Sequence, residues 1–297
     1  MPENPPRKGA AYRSGRVALV GRPNVGKSTL LNVMTGENIA IVSPHPQTTR
    51  QRLLGVVTTK AAQIAFVDTP GLHEPRHRLG VRMQNEALEG LRGSDLAVLV
   101  IDARSRPDPA LLEDLPKETI LAVNKVDLVR PKSMLLPVLE AWSKAHPFAA
   151  IVPVSAKTGS GVERLLDEVR ARLPEGEPLF EDDVLTDKPE RFLVAEVVRE
   201  QILLRTRQEI PHGVAVTVDA FEEHKKGARV TLTVHVPKES HKKIIVGRGG
   251  AMLKEVGTAA RLKLEKLLGK PLHLSIWVRV TPDWVDDPRA LGELGFE

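Results

Sequence analysis

Nine residues near the start of the chain, GRPNVGKST (21–29), constrain it more than any other stretch. They fit the pattern G-x-x-x-x-G-K-[ST]. They follow a short apolar run, RVALVG (16–21), and open a helical pattern, KSTLLNVMTG, that stops at Gly36. Strand, glycine-rich loop and helix are the context this pattern requires. Glycines let backbone N–H groups wrap phosphate oxygens at a helix start, where partial positive charge collects. In such a loop Lys27 reaches the β and γ oxygens, and the Ser28 hydroxyl ligates Mg2+.

A loop of this kind needs an open α/β sheet behind it. RLLGVVTT, AQIAFVD, LAVLVID, TILAVNK and AAIVPVS are apolar runs of the sort found in strands covered on both faces. Helical patterns separate them: VRMQNEALEGLRG, SMLLPVLEAWSKA and GVERLLDEVRARL. The alternation predicts a mostly parallel sheet with helices on both sides. At 297 residues the chain has room for a second domain. It has no cysteine, which excludes disulfides, thiolate zinc sites and a cysteine nucleophile. The polar, proline-rich start, MPENPPRKGAAYRSGR, lacks the apolar core of a signal peptide, and no apolar run reaches 18 residues. The expectation is a cytoplasmic protein with a flexible arm over residues 1–15.

Three further motifs follow in order. DTPG (68–71) ends a strand, where Asp68 can hold Mg2+ through water and the Gly71 N–H can sense the γ-phosphate. NKVD (124–127) offers the Asp127 carboxylate to the N1–H and 2-amino group of guanine. Adenine lacks that pair of donors, and a pocket built on buried polar pairing rejects a base that leaves groups unpaired. SAK (155–157) brings backbone toward guanine O6. Together the motifs resemble those of the translation-factor-like class of GTPases, in a domain spanning residues 16–173. The candidate nucleotide-binding residues are Gly21, Arg22, Pro23, Asn24, Val25, Gly26, Lys27, Ser28 and Thr29; Asp68, Thr69, Pro70 and Gly71; Asn124, Lys125 and Asp127; and Ser155, Ala156 and Lys157.

SPHPQTTRQR (43–52) has the proline-rich, polar character of a mobile switch, in which Thr48 or Thr49 meets Mg2+ when GTP is bound. Resemblance to GTPases whose switch threonine precedes an arginine favours Thr49, which would complete a metal set with Ser28 and Asp68. Ras-like proteins place a water-orienting Gln directly after the DTPG position; here it is Leu72. Relatives with a GRPNVGKS loop use its Asn to hold K+ beside the phosphates, which would give Asn24 that role; the alternative is that Asn24 merely stabilises the loop turn. Lys27, Thr49, Gly71 and Asn24 are the candidate catalytic residues. HEPRH (73–77) matches the H-E-x-x-H zinc pattern by letter only, because Pro75 opposes a helical turn between the histidines.

Beyond residue 173 the chain changes character. Residues 174–190 are acidic and proline-punctuated, with seven acids against one lysine from Glu175 to Glu190, and they read as a linker. From 191 to 281 the predicted order is α-β-β-α-α-β. A glycine cluster, Gly247-Arg248-Gly249-Gly250, sits between the two helices that precede the last strand. No Lys-Ser/Thr follows it, so it is not a second nucleotide loop. Order and loop match the type II KH module, an α+β fold whose GXXG loop clamps single-stranded nucleic acid backbone. From Lys238 to Lys270 nine Lys/Arg stand against three acids, within a chain of net charge +5. Lys242, Lys243, Arg248 and Lys254 are therefore candidate RNA-binding residues together with Gly247, Gly249 and Gly250. Residues 282–297 are expected to be an acidic, partly ordered tail.

One GTPase domain, an acidic linker and one KH domain resemble the bacterial Era family of GTPases over roughly residues 16–280. EIPHGVAVTV (209–218) also looks like that family's approach to its first KH strand. The resemblance implies a GTP/GDP-controlled, Mg2+-dependent switch in small ribosomal subunit assembly, gripping the 3′ region of 16S rRNA, and expected to be a monomer. The competing readings are a GTPase that gates RNA modification, or a membrane-linked signalling GTPase. No cofactor fingerprint follows the linker to support the first. The second would have the basic helix over 251–268 touch anionic lipid as a weak peripheral contact.

Overall fold

A computed structural model of the chain describes residues 11–72, 74, 75, 77–116, 118–206, 210 and 213–296. The described chain divides into two compact units. The first is built on residues up to Ala40, Thr49–His73 and Gln84–Asp187; the second on Ile41–Thr48, Glu74–Met83 and Lys188 onward.

The first unit carries β1 (Arg13–Val20), α1 (Lys27–Thr35), β2 (Leu53–Thr58) and β3 (Ala62–Asp68). It continues through α2 (Arg78–Arg92, whose first residues fall in the second unit), β4 (Leu96–Asp102), α3 (Pro109–Leu112), β5 (Thr119–Asn124), α4 (Leu135–Ala145), β6 (Ala150–Pro153) and α5 (Val162–Arg172). The strands form one sheet in the order β2-β3-β1-β4-β5-β6, parallel except for β2. β3 and β5 are buried at every position, as the unbroken apolar runs require of strands covered on both faces. The chain leaves β1 toward one side of the sheet and later returns to the other. The crevice at the carboxyl ends of β1 and β4 is therefore the switch point where open α/β sheets bind ligands.

β1 begins at Arg13, so residues 13–15, read above as arm, are strand, while residues 1–10 of that arm lie outside the described residues. The acidic segment after residue 173 is not free chain. Glu175 bridges Arg13 and Thr186 bridges Gly55. Phe180 and Val184 pack on Leu54, Val56 and Ala65, and the Gln63 carboxamide accepts from the Leu179 and Phe180 N–H groups at 2.7 and 2.8 Å.

The second unit holds α6 (Glu190–Arg205), β7 (Ala215–His224), β8 (Gly227–Val236), α7 (Glu239–Val246), α8 (Ala251–Leu268), β9 (Leu272–Val280) and α9 (Pro288–Glu293). The sheet runs β7-β8-β9, with the first pair antiparallel and the second parallel. Alternation on β8 sends Ala228, Val230, Leu232, Val234 and Val236 into a core with Val194, Val198, Ile245, Val256 and Leu264 of the helices. The last residues are better ordered than an acidic tail suggests. Trp284 is fully buried beside Leu79, Met83, Ala215 and Leu291, and the Asp287 side chain caps α9 by accepting from the Arg289 N–H.

Candidate nucleotide and RNA sites

The glycine-rich loop joins β1 to α1 with unusual backbone. Gly21 and Gly26 take φ of 145° and 103°, and Asn24 a left-handed 61°. A Cβ on Gly21 would sit 2.2 Å from the Val100 carbonyl oxygen, so β4 fixes where the loop starts. Lys27 is 6% exposed. Its ammonium donates to the carbonyls of Gly21 and Arg22 at 3.0 and 3.1 Å. Burial lowers its pKa to about 8, opposed by the Asp68 charge.

Ser28, Thr49 and Asp68 converge. The Ser28 hydroxyl donates to Asp68 Oδ2 at 2.7 Å and lies 2.8 Å from the Thr49 hydroxyl, which itself donates to the same carboxylate oxygen at 3.3 Å. Thr48 is occupied elsewhere, donating to the His45 carbonyl at 2.7 Å and lying 2.6 Å from the Ser43 hydroxyl. Asp68 is wholly buried, its other oxygen Oδ1 has no hydrogen-bond partner, and burial raises its pKa. An orphaned buried carboxylate oxygen beside two hydroxyls fits a hard cation that completes its shell with phosphate and water oxygens. No cluster of three or more His, Asp or Glu suited to a metal occurs among the described residues, so nothing here resembles an all-protein cage.

DTPG packs on the loop: a Cβ at Gly71 would meet the Pro23 backbone nitrogen at 2.6 Å, and the Leu72 N–H donates to the Gly21 carbonyl at 3.0 Å. The Thr69 hydroxyl donates to the Leu19 carbonyl. Leu72 packs against the apolar cluster that β1, β4 and β5 form with Leu91 of α2 and Trp142 of α4. Arg22 forks onto Asp108 at the N-cap of α3.

Asn124 has a role the sequence does not spell out. Its amide donates to the Val25 carbonyl at 2.8 Å and its Oδ1 accepts from the Ala156 N–H at 2.9 Å. One side chain thus ties together the glycine loop, NKVD and SAK, and both its polar atoms have protein partners. Lys125, in left-handed backbone, donates to the Asn24 carbonyl at 2.6 Å and pairs with Asp102 at 3.1 Å. The Ser155 hydroxyl donates to Asp127 Oδ1 at 2.7 Å and is the main cause of that carboxyl's lowered pKa. Asp127 is therefore held ionised.

In the second unit the GRGG loop joins α7 to α8. Gly247, Gly249 and Gly250 all have positive φ, at 73°, 59° and 82°. A Cβ on Gly247 would strike Met252 at 2.7 Å, but Cβ atoms on Gly249 or Gly250 would meet nothing within 4 Å. Gly247 is thus required by the fold, while Gly249 and Gly250 leave the backbone open to a ligand. A cavity of about 410 Å3 runs from Gly250 along α8 past Lys254, Thr258 and Arg261 to His273 and Ile276 of β9. Arg248 is exposed at its mouth, and Lys242 and Lys243 lie on α7 ahead of the loop. Thr258, Arg261 and His273 were not singled out from the sequence. The first two follow Lys254 at spacings of four and seven, which puts all three on one face of α8.

The family model described as "50S ribosome-binding GTPase" matches residues 16–125, and the KH domain model matches residues 209–285. GTPase Era of Trichlorobacter lovleyi is 44% identical over 97% of this chain and 99% of its own length. GTPase Era of Syntrophus aciditrophicus is 47% identical over 96% of this chain and 95% of its own. A crystal structure of Era in complex with MgGDPNP and nucleotides 1506–1542 of 16S ribosomal RNA superposes at a TM-score of 0.92, with 39% identity over 96% of this chain and 99% of that one. A point variant of Aquifex aeolicus Era bound to GDP·AlF4− superposes at a TM-score of 0.91, with 39% identity and the same coverage. The chain belongs to the Era family of GTPases, with a P-loop GTPase domain on a mostly parallel sheet and a C-terminal KH domain.

Proposed function

We propose that this GTPase is an RNA-binding switch of small ribosomal subunit assembly, working in the cytoplasm and holding the 3′ region of 16S rRNA in the groove between α8 and β9. The observation that carries the reading is the loop at Gly249 and Gly250, open on its ligand side and continuous with a groove edged by Lys254 and Arg261. Cations along a groove and bare glycine backbone at its mouth suit a sugar-phosphate chain. The Era relative crystallised with a 16S rRNA fragment supports RNA as the occupant.

At the other site the backbone of residues 21–27 receives the β and γ phosphates, and Lys27 turns from the carbonyls it now satisfies to their oxygens. Ser28, Thr49 and Asp68 are the residues for Mg2+, which would neutralise charge between the terminal phosphates. Asp127 selects guanine. Thr49 orders its segment when GTP is present and releases it after hydrolysis, and Gly71 reports the γ-phosphate. Leu72 has no group to orient water; charge stabilisation would fall to Lys27 and to a K+ that Asn24 would help hold beside the phosphates. Hydrolysis should run faster in K+ than in Na+ at equal ionic strength, with Asn24→Ala erasing the difference; equal rates in both salts would leave Asn24 as a turn residue, which its left-handed backbone already suits.

The RNA reading is tested by replacing Arg248 and Gly249 with Asp. The fold should survive, because position 249 has open space and Asp tolerates left-handed backbone. RNA binding should be lost, with GTP binding unchanged. Wild-type affinity should also fall steeply with salt. Normal RNA binding by the double variant would reduce the loop to a helix entry.

A further inference from the structure

The sheet of the second unit has a second face. Its strand rows there run Thr217–Thr233–Trp277, Ala220–Thr231–Ser275 and Glu222–Arg229–His273, with His235 and Arg279 paired beyond Trp277. Trp277 is 67% exposed, whereas the other two tryptophans, Trp142 and Trp284, are fully buried. An indole in water gives up the large gain its burial would bring. Its neighbours along and across the strands on this face are Ser275 and Thr233, small residues that do not cover a ring. Arg279 follows it on the same strand face, and Arg229 stands two rows away. The acid facing this row, Asp219 of β7, accepts from the Thr233 and Thr217 hydroxyls at 2.8 and 3.4 Å, one strand removed from β9.

β9 is an edge strand of this sheet, at the opposite side from β7. His273 belongs both to this face and to the lining of the groove beside α8, so the groove and the open face meet around that edge. A flat aromatic ring flanked by arginine, beside small hydroxyl side chains, is the equipment of a base-stacking platform: the ring takes a base, the guanidinium takes a phosphate, and the hydroxyls reach base edges or a ribose 2′-OH.

We propose that RNA leaving the groove turns around β9 and stacks an unpaired base on Trp277, with Arg279 against its backbone. The proposal rests on the reading of the groove as an RNA site and extends the footprint onto the other face of the sheet. Stacking quenches indole emission, and Trp277 is the one exposed tryptophan, so intrinsic fluorescence reports it directly. The probes are two single-stranded RNAs from the 3′ end of small-subunit rRNA. One is a tetranucleotide, since a KH groove clamps about four nucleotides; the other is about three times longer. Both should bind the full chain, and only the longer should quench. Trp277→Ala should weaken the longer RNA about tenfold and leave the tetranucleotide unchanged, while Trp277→Phe keeps most of the affinity. Absence of quenching by the longer RNA, or equal affinities of wild type and Trp277→Ala for it, overturns the platform while leaving the groove standing. Failure of wild type to bind either RNA overturns the groove reading and this one with it. Concentration-dependent self-association that Trp277→Ala abolishes would give the face to a second copy of the chain instead.

Discussion

Lys27 holds its ammonium between two backbone carbonyls at 6% exposure, where desolvation brings its pKa from 10.5 to about 8. The two carbonyls compensate only part of what water supplied. Because the folded pKa lies below the unfolded one, the unfolded chain binds more protons between pH 8 and 10.5, and stability rises with pH across that window. Below pH 8 the full cost is present, roughly 3 kcal/mol from the size of the shift. Lys27→Met should therefore make the nucleotide-free protein more stable at pH 7, by about 0–2 kcal/mol once the two lost hydrogen bonds, about 0.5–1.5 kcal/mol each, are set against the gain. It should also flatten the rise above pH 8 and abolish GTP binding. Denaturant titrations of the nucleotide-free protein at several pH values check this; identical pH slopes in variant and wild type would show that Lys27 is not the buried charge responsible. The buried ammonium suits a ligand that brings negative oxygens, because these offset the desolvation that two neutral carbonyls offset only in part.

Loops and helices differ in how openly the sequence declares them. The βα alternation, the α1 stop at Gly36 and the α-β-β-α-α-β order were legible because apolar periodicity and glycine caps are local signals. The acidic segment and the tail were not. Their packing depends on partners far away in sequence, such as Gln63 for residues 179–180 and Leu79 for Trp284. In the same way the motifs announced which residues belong at the nucleotide site, but not that Asn124 spends both its polar atoms bracing loops. The GRGG loop shows the limit most sharply, since three glycines identical in letter do different work. Gly247→Ala should cost about 2 kcal/mol or more, because its Cβ would collide with Met252 in left-handed backbone. Gly249→Asn should change stability by less than about 1 kcal/mol, since space is open and Asn tolerates that backbone. It should still weaken RNA binding by putting a side chain where the phosphates approach. Unfolding of the second unit in the intact chain, followed by hydrogen exchange on α7 and α8, separates the two. Equal destabilisation by both would mean the loop relaxes as a whole.

At the scale of the molecule, the proposed nucleotide and RNA sites share one chain, and in sequence the two compact units divide between Thr48 and Thr49. Thr49 belongs to the first compact unit and meets Ser28 and Asp68; Thr48, its covalent neighbour, closes the segment Ile41–Thr48 that belongs to the second. Within that second unit the segment is fastened to α6. Buried Arg199 donates to the Thr48 carbonyl at 2.5 Å, buried Glu200 accepts from the Val42 N–H at 3.0 Å, and His45 Nε2 lies 3.0 and 3.1 Å from the carbonyls of Leu203 and Thr206. Glu200 is in turn paired with Lys263 of α8, the helix that edges the proposed RNA groove. If Thr49 holds Mg2+ as proposed, the residue before it in the chain, Thr48, is fastened to α6, and Glu200 ties α6 to α8. Binding at the two sites should then be coupled, and coupling free energies are reciprocal. If a non-hydrolysable GTP analogue changes RNA affinity by some factor, RNA must change analogue affinity by the same factor, within the usual range of about 5- to 150-fold. His45→Ala removes a fastening worth roughly 1 kcal/mol and touches neither ligand. It should bring that factor several-fold closer to one, while each ligand's affinity measured alone changes little. Isothermal titration of each ligand with and without the other closes the cycle. An unchanged coupling factor in His45→Ala would show that nucleotide state reaches the groove by a route other than this segment.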